Sequence, residues 1–162
     1  MVSFSAAYLT GSGECTTPRE MAGQIATLKA VNVLFVVSSG NNSKRNRMGV
    51  PACLNDTVSV GATDNPDEGT SGIAWGRNLL PTIANYSNGS SDTDFYTNGR
   101  FHTTQRNGAT RFTVGTSNAS AALAAYWLQN RKATFDETYA ALVASSKIAK
   151  GKLLTGRYVF IP

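Results

Sequence analysis

The chain has 162 residues, of which 41% are hydrophobic and 15% charged, with a net charge of +5; this is the size of one domain rather than two. The composition excludes a disordered charged tail, and fifteen Gly with five Pro exclude a collagen-like repeat. No apolar run approaches the ~20 residues that cross a bilayer, and no charged start with an apolar h-region follows Met1. No membrane partner is expected, and a secreted or periplasmic location would require an export signal from outside these residues.

Val2 to Ser5 reads as a short strand, and Gly11 to Gly13 as a turn. A helix start follows: Thr17 can cap, Pro18 suits the first helical position, and Glu20 stands three after Thr17 to complete the box. Met21, Ile25 and Leu28 then form one apolar stripe. Val33 to Val37 is a continuous apolar run of strand length, the pattern of a parallel strand buried on both faces. Strand, helix and strand in about 35 residues make a βαβ unit, so the expected class is α/β, a doubly wound, mostly parallel sheet flanked by helices.

Thr57 to Val60 reads as a further strand and Asp64 to Gly69 as a loop. Thr82 to Tyr86 reads as a short strand, and residues 87–100, rich in Ser, Asn, Asp and Gly, as loop. Phe101–Thr104 and Thr110–Val114 flank Asn107-Gly108, a hairpin signal. A second helix is expected over Ser117–Asn130, with Ala119, Ala122, Leu123, Tyr126 and Trp127 on one face. Thr134 and Glu137 form another capping box, opening a third helix with Phe135, Tyr139, Leu142 and Val143 inward. Lys147, Lys150 and Lys152 suit the negative end of that helix. Tyr158 to Ile161 is the last strand-like piece.

The positive charge does not point to nucleic acid, because its best cluster, Lys44, Arg45 and Arg47, reads as a solvated loop. Cys15 and Cys53 lack a CxxC spacing or a neighbouring His, so they do not make a metal site. One disulfide in an exported protein and two buried thiols both fit them.

Two segments carry chemistry. In Gly115-Thr116-Ser117-Asn118-Ala119-Ser120, a serine opens a helix rich in small residues, where unpaired N–H groups and the positive end of the dipole can stabilise an oxyanion. In Ser38-Ser39-Gly40-Asn41-Asn42, an asparagine lies just past a parallel strand, where α/β folds bind ligands. A Ser at a helix start is also an ordinary cap, and an Asn in a turn is ordinary as well.

Taken in order, the pieces resemble the C-terminal half of the subtilisin-like serine proteases, the subtilase family. Val2-Ser3-Phe4-Ser5 resembles the strand at the substrate-binding edge, and Val36-Val37-Ser38-Ser39-Gly40-Asn41-Asn42 the strand and oxyanion-hole loop. Val50-Pro51-Ala52 with Val58-Ser59-Val60-Gly61-Ala62-Thr63-Asp64 resembles PA…VIxVGAxD. Ala84-Asn85-Tyr86-Ser87-Asn88 resembles A-x-[FY]-S-N, and Gly115-Thr116-Ser117 the nucleophile motif. The resemblance implies one partial catalytic domain over 1–162, with Ser117 as nucleophile and Asn41 as side-chain oxyanion donor beside the Ser117 N–H. It implies a cleft for an extended peptide or protein substrate, walled by Ser5, Ala6 and Ala7 and by Ser38, Ser39 and Gly40, with main-chain pairing to these edges. It also implies a cis bond at Val50-Pro51. No organic cofactor is implied; calcium is common in oxygen-rich loops of the family, and Asn88, Ser90, Asp92 and Asp94 are the candidate ligands.

The departures are Asn118 in place of the family's Met and Ala121-Ala122 in place of its Pro-His. No D-[ST]-G or H-G-T segment occurs in the chain. The only histidine, His102, reads as a surface hairpin residue rather than a base. The triad's Asp and His would then come from an N-terminal segment, and without a base Ser117 is a poor nucleophile. The alternative is a non-catalytic relative that binds peptides or a protein.

Overall fold

The computed structural model describes residues 1–9, 15, 19–64, 81–151, 154–159 and 161. Its central strands are β1 (Val2–Phe4), β2 (Phe35–Ser38), β3 (Val58–Asp64) and β5 (Phe95–Asn98). They pair in parallel, β1 to β2, β2 to β3 and β3 to β5. The sheet continues from β5 to β9 (Thr155–Tyr158) in parallel, and β9 pairs antiparallel with β8 (Lys147–Lys150). The short β4 (Thr82–Ile83) joins the end of β3 antiparallel and β8 in parallel. A separate hairpin is made by β6 (Arg100–Thr104) and β7 (Thr110–Val114). Three helices complete the described structure: α1 (Arg19–Ala30), α2 (Thr116–Asn130) and α3 (Phe135–Ser145).

The period of two along β2 and β3 sorts their side chains onto two faces. Val36, Val58 and Val60 join Ala119, Leu123 and Trp127 of α2 in the main core. Phe35 and Val37 pack on the other side with Phe4, Met48 and Ala52. Helix α2 lies across β1, β2, β3 and β5, and its small residues allow that approach. Gly61 shows how tight the strands are: a Cβ there would stand 2.3 Å from the Tyr96 ring. Helix α3 begins with both bonds of the Thr134–Glu137 box and brings Phe135 and Tyr139 against Trp127. The cis Val50-Pro51 bond is present, and Cys15 and Cys53 form a disulfide.

The sheet is longer and more mixed than the sequence suggests. Residues 87–100 are not all loop, because Phe95–Asn98 is the buried strand β5 between β3 and β9. Lys147 and Lys150 do not decorate a helix end. Helix α3 stops at Ser145, Ser146 is extended, and the two lysines lie on β8. The last strand is Thr155–Tyr158 rather than 158–161, and the strand at Thr82 ends at Ile83. Ala84 to Ser87 forms a turn instead, closed by Ser87 N–H donating to the Ala84 carbonyl. The expected turn at 11–13, the Thr17-Pro18 helix start, residues 65–69 and Lys152 lie outside the described residues.

Asp94 locks α3 to the sheet. Its Oδ2 accepts from the Ser59 backbone N–H and hydroxyl, and its Oδ1 accepts from the Tyr139 hydroxyl at 2.7 Å. Burial first, then the hydrogen bond to Asp94 and its charge, push the Tyr139 phenol far above its ordinary value, with Arg157 pulling back. The fold therefore favours the neutral phenol. That contribution is complete below the unfolded value of about 10 and is lost as pH rises above it, because only the unfolded phenol ionises there.

Two measurements check this packing. Replacing Tyr139 by Phe is expected to cost about 1.5 kcal/mol at neutral pH, the scale of a hydrogen bond to a charged acceptor. The variant should also lose less stability than the parent in urea titrations repeated upward from about pH 10. The disulfide closes a separation of 38 residues, so Cys53→Ser is expected to lower unfolding free energy by up to about 4 kcal/mol on the chain-entropy model, read from the same titrations.

Candidate active site

The candidate residues converge at the C-terminal end of β2. Parallel strands place the loop after β2 and the N-terminus of α2 at the same end of the sheet. Helix α2 opens at Gly115 with no side-chain cap of its own. Asn41, 75 positions before Thr116, fills that role, its Oδ1 accepting from the Thr116 N–H and the Thr116 hydroxyl, both at 2.9 Å. The backbone N–H can only donate, so this contact fixes which end of the amide is oxygen. The amide nitrogen, Nδ2, is left with no acceptor among the described residues. It borders the Gly115 backbone, 3.5 Å from where a Cβ would stand.

Ser117 follows at the second helical position and is half-buried. Its hydroxyl donates to the Ser5 carbonyl at 2.9 Å, and the Ser5 hydroxyl lies 3.5 Å from the Ser117 carbonyl. The Ser117 N–H, one of the unpaired donors of a helix start, also has no acceptor among the described residues. Two unengaged donors thus border Gly115, at the helix start that carries the Ser117 hydroxyl. An amide carbonyl accepts a hydrogen bond but is no base, so the contact to Ser5 orients the hydroxyl without activating it.

The two expected walls differ. Ser5 and Ala6 are exposed and Ala7 is half-buried. Tyr8 beyond them exchanges both backbone hydrogen bonds with Val50. Ser38, Ser39 and Gly40 are buried, and the last two have their backbone groups committed. Ser39 N–H donates to Val60, Gly40 N–H to the Thr116 hydroxyl, and the two carbonyls accept from Gly49 and Asn88. Of the main-chain groups expected to pair with a substrate, those of Ser39 and Gly40 are thus engaged within the fold, while Ala6 and Ala7 make no backbone hydrogen bond among the described residues.

Several readings change. Arg45 is not a solvated loop cation: its guanidinium donates to the carbonyls of Ala84, Ser87 and Asn85 at 2.8–3.1 Å. Two of the four candidate calcium ligands have their oxygens engaged within the fold. Both Asp94 oxygens are held by Ser59 and Tyr139, and the buried Asn88 Oδ1 accepts from the Asn42 and Lys44 N–H groups. Among the described residues no three His, Cys, Asp or Glu side chains cluster for a metal. Asp64 ends β3, and burial raises its carboxyl against the pull of Arg100. His102 stands on exposed β6 with its ring 3.7 Å from Phe112. Asn118 donates to Gly99 and Thr113 and so ties the hairpin to α2. Thr116 and Asn88, both fully buried, organise the site although the sequence marked neither for that work. Thr116 had a signal, its place inside the Gly-Thr-Ser motif.

Solved structures provide the comparison. The prenylagaramide maturation protease PagA superposes over 91% of this chain and 51% of its own, at 24% identity and a TM-score of 0.63. The patellamide maturation protease PatA gives 93%, 54%, 23% and 0.65. A cold-adapted subtilisin-like serine proteinase gives 98%, 54%, 17% and 0.69. The chain spans about half the length of each. No match is found among curated proteins. The model of the subtilase family matches residues 3–154, and the chain belongs to that family of serine proteases.

Proposed function

We propose that this chain is the nucleophile-bearing part of a subtilisin-like serine endopeptidase, acting on an extended peptide or protein. The observation that carries the reading is the pair of unengaged donors, Asn41 Nδ2 and Ser117 N–H, at the Gly115 helix start that carries the Ser117 hydroxyl. Ser117 Oγ attacks the scissile carbonyl carbon while its proton passes to a base. The carbonyl oxygen becomes an oxyanion and accepts from the two donors. Collapse breaks the C–N bond, the leaving amine takes the proton from the base, and water then hydrolyses the acyl-serine. The substrate lies along Ser5, Ala6 and Ala7, adding by its backbone where Ala6 and Ala7 make no backbone hydrogen bond among the described residues, with Ser38, Ser39 and Gly40 as the opposing surface.

The base and its orienting carboxylate come from a segment carrying the family's His and Asp. The outer edge of β1, which has no strand partner among the described residues, is a docking edge of suitable kind. Only neutral dipoles are needed for the oxyanion side, so that part of the site stands without them. The chain alone is then nearly inactive, since the only hydrogen bond of the Ser117 hydroxyl among the described residues runs to a carbonyl. That same bond favours a second reading, a non-catalytic peptide-binding relative in which Ser117 is a structural clasp.

The test is labelling with a serine-directed phosphonate, read by intact mass. The chain alone is expected to stay unlabelled. Co-expressed with a segment carrying the Asp and His, it should be labelled at Ser117, and the Ser117→Ala variant should not. In that complex Asn41→Ala should lower kcat about 10²–10³-fold, as in subtilisin, the measured case for such a donor. Peptide binding equal in parent and Ser117→Ala, with no labelling of the complex, would establish the second reading instead.

A further inference from the structure

The loop from Ser39 to Lys44 carries Asn41 but has no strand ladder of its own, so something must hold its shape. Asn88 meets it from the side and is fully buried. Its Oδ1 accepts from the backbone N–H of Asn42 at 2.9 Å and of Lys44 at 3.0 Å. Its Nδ2 donates to the Ser39 carbonyl and to Asn42 Oδ1, both at 3.2 Å. The backbone completes the clasp: Asn88 N–H donates to Gly40, and the Ser39 hydroxyl donates to the Asn88 carbonyl. Gly40 is required by the same contact, because its φ of +102° is left-handed and a Cβ there would stand 2.4 Å from Asn88 Nδ2.

We propose that Asn88 is a positioning residue for the oxyanion donor: it holds residues 39–44 so that the Asn41 amide meets Thr116 and presents Nδ2 beside Ser117. The claim rests on the role given to Asn41 above. Asn88 acts only through Asn41, and its chemistry is specific. Two acceptor sites and two N–H groups are all used, a set that neither Asp nor Ser supplies. Arg45 assists from the far end, since its three bonds hold the Ala84–Ser87 turn that leads into Asn88.

Two measurements decide it. In the isolated chain, amide hydrogen exchange needs no activity. In Asn88→Ala the Asn42 and Lys44 amides should exchange about tenfold faster or more, the scale of one net hydrogen bond, while Val37 and Val60 in the sheet stay protected. If that variant does not fold, Asn88→Asp keeps the acceptor oxygen and should retain protection at Asn42 and Lys44. Unchanged exchange at those two amides in Asn88→Ala, or equal acceleration across the sheet, overturns the proposal, as does their loss of protection in Asn88→Asp. In the active complex, Asn88→Asp, which forfeits the Nδ2 bonds, should lower kcat roughly 10- to 100-fold with KM held, as misplacement of a catalytic group does. The same change should be nearly silent in an Asn41→Ala background. Equal losses in both backgrounds would make Asn88 merely structural. A complex inactive even with Asn88 intact would fail the protease reading, and the exchange measurement would then decide the positioning claim by itself.

Discussion

Two hydrogen bonds from Thr116 to the side-chain oxygen of Asn41 join segments 75 positions apart, and the candidate site depends on them. They solve a local problem first. A helix start with a glycine cap leaves its backbone N–H groups unpaired, and Asn41 takes one of them from a distance. Because the amide oxygen is spent on that task, the amide nitrogen is the end left facing out. The remaining helix donor, Ser117 N–H, lies one residue on. The chemistry of capping and the chemistry proposed for catalysis are thus the same constraint read from its two ends.

This constraint needs a polar interior, which is costly unless every group is paired. Several buried polar groups around the loop are paired. Ser39 gives its hydroxyl to Asn88, Ser87 accepts from Ala62 and donates to Asn88, and Thr116 accepts from Gly40. These links are neutral, and all but the one from Ser87 to its neighbour Asn88 join segments distant in sequence. Such networks fix geometry more than they add stability, since the bonds replace ones made to water. The apolar stability comes from elsewhere, chiefly from Leu123 and Trp127 of α2 seated on Val36, Val58 and Val60. Apolar packing sets how close α2 comes, and the polar clasp sets its register.

What the sequence made legible follows the same division. Local signals held: the run ending at Val37, the stripe of α1, the Thr134–Glu137 box and the Asn107-Gly108 hairpin each depend on near neighbours. The ordered motifs also brought Asn41 and Ser117 together. What escaped is nonlocal. Phe95–Asn98 carries no alternation and sits in a Ser/Asn/Asp-rich stretch; it is a strand because β3 and β9 flank it. Lys147 and Lys150 followed a helix pattern until Ser146 turned extended. Asn88 and Arg45 look like solvated loop residues until the carbonyls and N–H groups they meet are known, and those belong to other segments.

Why the two sides of such a site can reside in different segments follows from charge. An oxyanion cradle built from an amide nitrogen and a backbone N–H is neutral at rest, so it can preform with no buried charge to compensate. A proton acceptor cannot be set so cheaply, because an imidazole held for base work needs a carboxylate behind it, and that pair must be desolvated together. Nothing in the Asn41–Thr116–Asn88 network calls for a charged partner. With no base against it among the described residues, the Ser117 hydroxyl donates to the Ser5 carbonyl. That carbonyl belongs to the exposed wall where the proposed substrate would lie, so the resting bond must give way as a base arrives, and it is weak enough to do so.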